Sequence, residues 1–147
     1  MEDCTFVIFG ATGNLAELKL IPALYSLDAA GRLPPGFKIV GFGRRDWDHE
    51  AWRALVRDWL ADRQTEPQVL ERFCARLFFF QGNLDDAAAY PALADYLSGD
   101  AQFAPNMAFY LAISPADFGV VSRQLGAAGL SREDGGWRRL VVEKPFG

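Results

Sequence analysis

The chain has 147 residues, of which 50% are hydrophobic and 23% are charged, a composition typical of one water-soluble globular domain. Its formal net charge of −4 and sequence pI near 4.9 argue against nucleic-acid and membrane-surface binding. No apolar run approaches the roughly 18 residues of a membrane span, and the acidic start lacks the basic flank of a secretion signal, so we expect a cytoplasmic protein.

The first predicted elements are a strand over residues 4–9 and a helix over residues 14–30. The strand is apolar on successive residues, as expected of a strand that is covered on both faces. Pro22 removes one hydrogen bond inside the helix, so we expect a bend there. The residues predicted to face inward repeat every three positions: Leu15, Leu18, Ile21, Leu24 and Leu27.

Four further strands and four further helices follow from short apolar runs and from apolar positions at helical spacing. Either Asp46 or Asp48 is expected to cap the second helix. Together the elements predict an α/β fold, a Rossmann-like doubly wound parallel sheet with helices on both faces. The predicted strands cover residues 37–42, 77–81, 107–113 and 139–143, and the helices cover residues 49–63, 65–75, 85–97 (or from 86) and 117–127.

The cysteines and the single histidine indicate no metal or redox centre. Cys4 and Cys74 have no CxxC spacing and no partner histidine, so we expect buried free thiols. With His49 as the only histidine, neither a zinc site nor a histidine-based triad is predicted, and no residue is assigned to a metal. His49 itself is expected to be a surface or capping residue.

The segment GATGNLA at residues 10–16 is a candidate phosphate-binding turn between the first strand and the first helix. Gly10 permits a tight exit from the strand, Gly13 lets backbone approach a pyrophosphate, and Ala16 is small enough for close packing of the helix. The start of a helix offers unpaired N–H groups and a positive dipole end. The context predicts a dinucleotide site, and the alternative is a purely structural turn.

The end of the second predicted strand indicates the coenzyme. NAD sites usually have an acidic residue there for the ribose hydroxyls, whereas NADP sites have an arginine for the 2′-phosphate. Arg44 and Arg45 follow this strand, and a guanidinium can stack on adenine or pair with a phosphate. NADP is therefore the predicted cofactor, with NAD as the alternative. A solvated pair bound to Asp46 or Asp48 is the alternative reading of the arginines.

Four segments, in this order, resemble the amino-terminal coenzyme domain of glucose-6-phosphate dehydrogenase. They are GATGNLAELKLIP, GFGRR, FYLAISP and EKPFG, and they cover the chain almost end to end. The resemblance implies an NADP-dependent oxidoreductase of the pentose phosphate pathway. The complete enzyme would oxidise glucose 6-phosphate to the lactone with hydride transfer to NADP, and would be a homo-oligomer.

The resemblance also implies roles for individual residues. Arg44 would bind the 2′-phosphate, and Tyr110 and Lys144 would contact the coenzyme. Lys144 would also reach the sugar phosphate, with Lys19 placed towards the substrate side. A cis Lys144–Pro145 bond is compatible with the sequence. The phosphate turn would contribute Gly10, Ala11, Thr12 (through its hydroxyl), Gly13, Asn14, Leu15, Ala16 and Glu17.

Two residues depart from the family pattern. Asn14 stands where the family mostly has aspartate, and it can still cap the helix. Glu17 replaces a usual lysine and adds a negative charge one turn into the helix. The first change removes a negative charge beside a polyanionic coenzyme and the second adds one, so they act in opposite directions on its affinity.

The chain is predicted to lack the catalytic residues of the family. There, a histidine base and the aspartate that orients it lie in a second domain after EKPFG, and a base must come within hydrogen-bond distance of the proton it removes. Residues 1–147 are therefore expected to form one dinucleotide-binding domain that does not oxidise the sugar by itself.

Two other functions are compatible with the sequence. One is a free-standing NAD(P)-binding reductase or epimerase, although no tyrosine here is followed by a lysine four positions on, as such enzymes usually require. The other is a non-enzymatic module that binds NAD(P) and a partner protein.

Overall fold

The computed structural model describes residues 2–133 and 135–142, and within them five strands form one parallel sheet. The strands are β1 (Thr5–Phe9), β2 (Lys38–Gly43), β3 (Leu77–Gln81), β4 (Met107–Leu111) and β5 (Arg138–Val142). Their order in the sheet is β3-β2-β1-β4-β5. The chain moves outwards from β1 to β3 and then returns to β4 on the other side of β1. The predicted doubly wound parallel sheet is confirmed.

Five α-helices cover the two faces of this sheet: α1 (Ile21–Ala29), α2 (His49–Leu60), α3 (Pro67–Ala75), α4 (Ala89–Ser98) and α5 (Phe118–Ala127). Helices α1 to α3 pack on one face, where Trp52, Val56 and Leu60 are fully buried. Helices α4 and α5 pack on the other, where Leu93 and Val121 are fully buried. None of the helices that the structure describes has the length and apolarity needed to cross a membrane.

The first helix differs from its prediction in its hydrogen-bond register. The chain is helical from Asn14, but residues Ala16–Leu20 form a π-helical turn in which the Ile21 N–H donates to Ala16 O. This wide turn directly precedes Pro22, whose nitrogen cannot donate the next bond. Because the turn shifts the helical phase, Leu18 is 61% exposed, and the prediction that it faces inward is wrong.

Several predicted ends are wrong by a few residues, for local reasons. Helix α3 begins at Pro67 because the residue before a proline disfavours helical backbone, and Glu66 is extended. Strand β4 ends at Leu111, level with Phe9, where β1 turns away. Helix α4 begins at Ala89, after a turn in which Asp86 accepts from the Ala88 N–H. Strand β2 extends one residue further, to Gly43.

Other helix and strand ends also differ from the predicted ones, whereas the predictions for Asp48 and for the two cysteines are confirmed. Helix α2 ends at Leu60 rather than at residue 63, and α5 begins at Phe118 after a 3₁₀ turn. Strand β5 begins at Arg138, and the predicted last residue, Glu143, lies outside the described residues. Asp48 is the cap of α2, accepting from the Ala51 N–H at 2.8 Å. Cys4 and Cys74 are buried free thiols.

His49 links α2 to the edge strand β3. Its Nδ1 accepts a hydrogen bond of 2.8 Å from the Phe79 N–H, and its ring contacts Phe78 edge-on. Because β3 has a neighbour on only one side, this N–H has no strand partner. His49 is thus half-buried, and the N–H that it caps belongs to an edge of the sheet rather than to a helix end.

Candidate functional site

A cleft of about 370 Å³ opens at the carboxyl edge of the sheet, at the centre of the strand order. The ends of β1, β2 and β3 and the turn that starts α5 meet there, because parallel strands all end at the same edge of a sheet. The residues lining the cleft are Gly10, Thr12, Gly13, Phe42, Gly43, Arg44, Gly82, Asn83, Leu84, Asp85 and Asp117.

Gly10 is required by the geometry of the turn. Its φ is +84°, which residues with a side chain rarely adopt, and an added Cβ would lie 2.3 Å from the carbonyl oxygen of Ala112. The chain therefore leaves β1 in direct contact with the segment that follows β4. Gly13 carries no such strain, since its φ is ordinary and an added Cβ would approach only Gly10 O, at 3.4 Å.

The backbone of the turn leaves donors unpaired beside the cleft. The Gly10 N–H donates to Phe42 O, and the Gly13 N–H donates to Gly10 O at 3.0 Å. Among the backbone hydrogen bonds of the described residues, the N–H groups of Thr12, Asn14 and Leu15 donate none. Unpaired N–H groups at the start of a helix are the arrangement that binds phosphate anions.

The small residues of the turn allow the first helix to approach the sheet closely. Ala11 and Ala16 are fully buried, and an added Cβ on Gly41 would lie 2.9 Å from the Cβ of Ala11. Asn14 is exposed and Glu17 is half-exposed. Leu15 occupies the capping position of the π-helical turn and forms no side-chain capping bond there, and a capping role of Asn14 stays a prediction.

Arg44 lines the cleft and its guanidinium is available. Among residues 2–133 and 135–142, no ion pair involves Arg44 or Arg45, and the Asp48 carboxylate is engaged at the start of α2. The predicted alternative, a solvated pair bound to Asp46 or Asp48, is therefore wrong.

The two arginines have different surroundings. The Arg45 guanidinium lies over the Trp47 ring, 5.8 Å from its centroid, and Arg45 does not line the cleft. The segment of Arg44 is fixed from the neighbouring strand, because the Gly82 N–H donates to Gly43 O at 2.8 Å and the Gln81 amide donates to Arg44 O at 3.3 Å.

Four of the predicted site residues, Gly10, Thr12, Gly13 and Arg44, line this cleft. The other described ones do not line it: Ala11, Asn14, Leu15, Ala16, Glu17, Lys19 and Tyr110. Tyr110 is buried in the core on the α1 side, with its ring 5.9 Å from that of Phe6. Lys19 is exposed on the π-helical turn and does not line the cleft. Lys144, with the Lys144–Pro145 bond, lies outside the described residues.

Sequence reasoning missed the residues that β3 and the α5 turn bring to the cleft. Asn83, Leu84 and Asp85 follow β3, and Asp117 precedes α5. The available signal was their position after predicted parallel strands, because every such segment lies at the ligand-binding edge. Burial raises the pKa of the nearby Tyr90 to about 12, and the negative charges of Asp85 and Asp117 add to this effect.

Comparison with known proteins agrees with this geometry. Residues 7–147 match the model of the family described as glucose-6-phosphate dehydrogenase, NAD binding domain. Over 150 residues the chain is 39% identical to a glucose-6-phosphate 1-dehydrogenase of Aggregatibacter actinomycetemcomitans, covering 99% of this chain and 30% of that protein. It is 43% identical over 151 residues to glucose-6-phosphate 1-dehydrogenase 2 of Mycobacterium tuberculosis, covering 98% and 29%.

Solved structures agree as well. A glucose-6-phosphate dehydrogenase in complex with glucose 6-phosphate superposes with a TM-score of 0.82 at 29% identity, covering 99% of this chain and 31% of that one. The enzyme from Mycobacterium avium superposes with a TM-score of 0.84 at 27% identity, covering 99% and 30%. The chain thus spans about 30% of the length of these relatives. It belongs to the family of glucose-6-phosphate dehydrogenase NAD-binding domains.

Proposed function

We propose that the cleft binds NADP and that the complete protein oxidises glucose 6-phosphate to its lactone, with NADP as hydride acceptor. One observation carries the proposal: the glycine turn, through Gly10, Gly13 and Thr12 with its unpaired N–H, lines the same cleft as Arg44, which has no ion pair among the described residues. Donors for a diphosphate and a cation for a further phosphate are what NADP requires.

The residues of the cleft fit the coenzyme in distinct roles. The diphosphate lies at the turn, where the N–H groups of Thr12, Asn14 and Leu15 and the Thr12 hydroxyl donate to it. Arg44 pairs with the 2′-phosphate, which distinguishes NADP from NAD. When bound, NADP supplies the hydride acceptor. Tyr110, Lys19 and Lys144 stay in the proposal on the resemblance alone.

The chain's part in the reaction is to bind and orient the coenzyme. Among the described residues, none that lines the cleft is a histidine, and the Nδ1 of His49 already accepts from Phe79. A base for the sugar hydroxyl must approach it within hydrogen-bond distance. We propose that this base comes from a part of the protein beyond these residues, that the complete protein is a cytoplasmic homo-oligomer, and that nucleic acid and membrane are not its partners.

The test is a calorimetric titration of the 147-residue chain with NADP and with NAD, followed by an assay of glucose 6-phosphate oxidation. We expect NADP to bind more tightly than NAD and no turnover of the sugar. Absence of binding of either dinucleotide at millimolar concentration would contradict the coenzyme site. Turnover by the chain alone would contradict the placement of the base elsewhere. High affinity for reduced coenzyme with no effect of sugar in the full-length protein would favour a non-enzymatic module.

A further inference from the structure

The charges lining the cleft do not match the anion proposed to bind there. Among the described lining residues, Arg44 is the one cation, whereas Asp85 and Asp117 both bring carboxylates. A dinucleotide diphosphate carries negative charge, and like charges a few ångströms apart across a partly desolvated cleft repel each other. The lining therefore contributes two acidic residues to a site that must hold phosphates.

Asp117 is the carboxylate with the greater effect. It is half-buried, whereas Asp85 is exposed and thus better screened by water. It also lies after β4, the neighbour of β1, so it is on the side of the glycine turn rather than on the side of Arg44, which follows β2. Its charge consequently acts on the part of the ligand that lies at the turn.

The Asp117 carboxylate is not used elsewhere in the described structure. Its backbone N–H donates to Ser114 O at 2.9 Å, but its side chain forms no capping hydrogen bond at the start of α5 and no ion pair with a described residue. Its negative charge helps to raise the pKa of the Tyr90 hydroxyl, so the carboxylate contributes to the electrostatic field in this part of the cleft.

We propose that Asp117 is an affinity-determining residue that weakens binding of the diphosphate common to NADP and NAD. This inference rests on the proposed coenzyme site. Because the diphosphate is shared, the penalty applies equally to both dinucleotides and leaves discrimination to Arg44. The cleft then binds NADP only as tightly as the 2′-phosphate contact permits, and NAD more weakly still.

The experiment measures dissociation constants of NADP and NAD for the wild-type chain and for Asp117→Asn, at low salt and at about 1 M salt. At low salt, Asp117→Asn should bind both coenzymes about threefold to tenfold more tightly, with their affinity ratio unchanged. The gain should vanish at high salt, where the screening length falls to about 3 Å. Asp117→Ser is a second variant, which removes the charge with a shorter side chain and keeps the backbone N–H that donates to Ser114 O.

Asp62→Asn is the matched control, because it removes the same charge from an exposed position after α2, a helix that begins beside the carboxyl edge of the sheet and runs away from it. It should leave both dissociation constants unchanged.

Weaker binding by Asp117→Asn and Asp117→Ser would show that the carboxylate accepts from a ribose hydroxyl, which overturns the proposal. Unchanged binding by both variants would overturn it as well. If NADP binds neither the wild type nor any variant, the coenzyme site itself fails. If NADP binds and only the response at Asp117 is missing, this inference alone fails.

Discussion

Arg44 and Arg45 are neighbours in the sequence, but the structure assigns them to different surroundings. Arg44 lines the cleft, whereas Arg45 stacks on Trp47, which itself lies against Phe79 with ring centroids 5.7 Å apart. A guanidinium held on an aromatic face stabilises the loop through a cation–π contact. The two residues thus have the same chemistry but different surroundings, and coenzyme selection is proposed for Arg44 alone.

Arg44→Ala should therefore weaken NADP binding by about 1–3 kcal/mol, the usual loss for a hydrogen bond to a charged group, and leave NAD nearly unaffected. Arg45→Ala is the matched control and should change neither affinity by more than about 0.5 kcal/mol. Titration of both variants with both coenzymes tests this. Equal losses of NADP and NAD in Arg44→Ala would remove Arg44 as the selecting residue.

His49 makes stability depend on pH. Burial, followed by the nearby positive charge of Arg53, lowers the pKa of His49 below its ordinary value of 6.5, so the folded chain holds the neutral ring that accepts from Phe79. Between that lowered pKa and 6.5 the unfolded chain binds a proton that the folded chain does not. The contribution of His49 is therefore fully present above pH 6.5 and is lost as pH falls through this window.

The corresponding prediction is a decrease in the free energy of unfolding of the wild type between pH 7.5 and 5.5. His49→Phe keeps a ring against Phe78 but has no acceptor, so it should lose about 1 kcal/mol at pH 7.5 and show a flatter profile. Urea unfolding at several pH values measures both. Parallel profiles for the two proteins would show that another group causes the pH dependence.

At the scale of elements, the glycine turn combines a strained backbone with a close approach. Gly10 and Gly31 have similar φ values, +84° and +73°, but only Gly10 has a neighbour where a Cβ would lie. Gly31→Ala should cost about 1 kcal/mol for the left-handed backbone alone. Gly10→Ala should cost clearly more, because β1 or the segment after β4 must also shift. Chemical unfolding of both variants checks this, and equal losses would contradict the close approach.

A buried ion pair ties α1 and α3 to the entrance of β2, at the edge of the sheet opposite the cleft. Asp28, which is 1% exposed, accepts from both Arg72 and Arg76 at 3.1–3.2 Å. Arg76 also donates to the carbonyl oxygens of Pro34 and Phe37, at 2.7 and 2.9 Å. These bonds close the loop that leads from α1 into the sheet.

Removal of the Asp28 charge leaves the Arg76 guanidinium buried without its partner. Asp28→Asn should therefore lower the free energy of unfolding by about 3 kcal/mol, as is usual when a buried pair is broken. The control is Glu50→Gln, which breaks the more exposed pair with Arg53 and should cost less than about 1 kcal/mol. A loss of similar size in both variants would show that the Asp28 network adds little.

At the scale of the whole molecule, the order of strands and helices was predictable because each element carries its own periodicity. The carboxyl-edge site was also predictable, since parallel strands deliver their following turns to one edge. The predicted contribution of Gly10, Thr12, Gly13 and Arg44 to that edge agrees with the cleft. Their contacts with the coenzyme remain predictions, as do those of Tyr110, Lys19 and Lys144.

The sequence by itself determined the α/β class, the doubly wound topology and the turn, because these follow from short patterns of neighbouring residues taken in chain order. It also determined the family, because four such segments occur in the family's order. Only the tertiary structure decided that His49 pairs with Phe79, 30 residues away, and that Asp28 pairs with Arg76, 48 residues away. It also decided that Leu18 is exposed and that Asp117 lines the same cleft as the glycine turn. The physical reason is that a side chain's partners are set by packing between elements distant in the chain, which no local periodicity records.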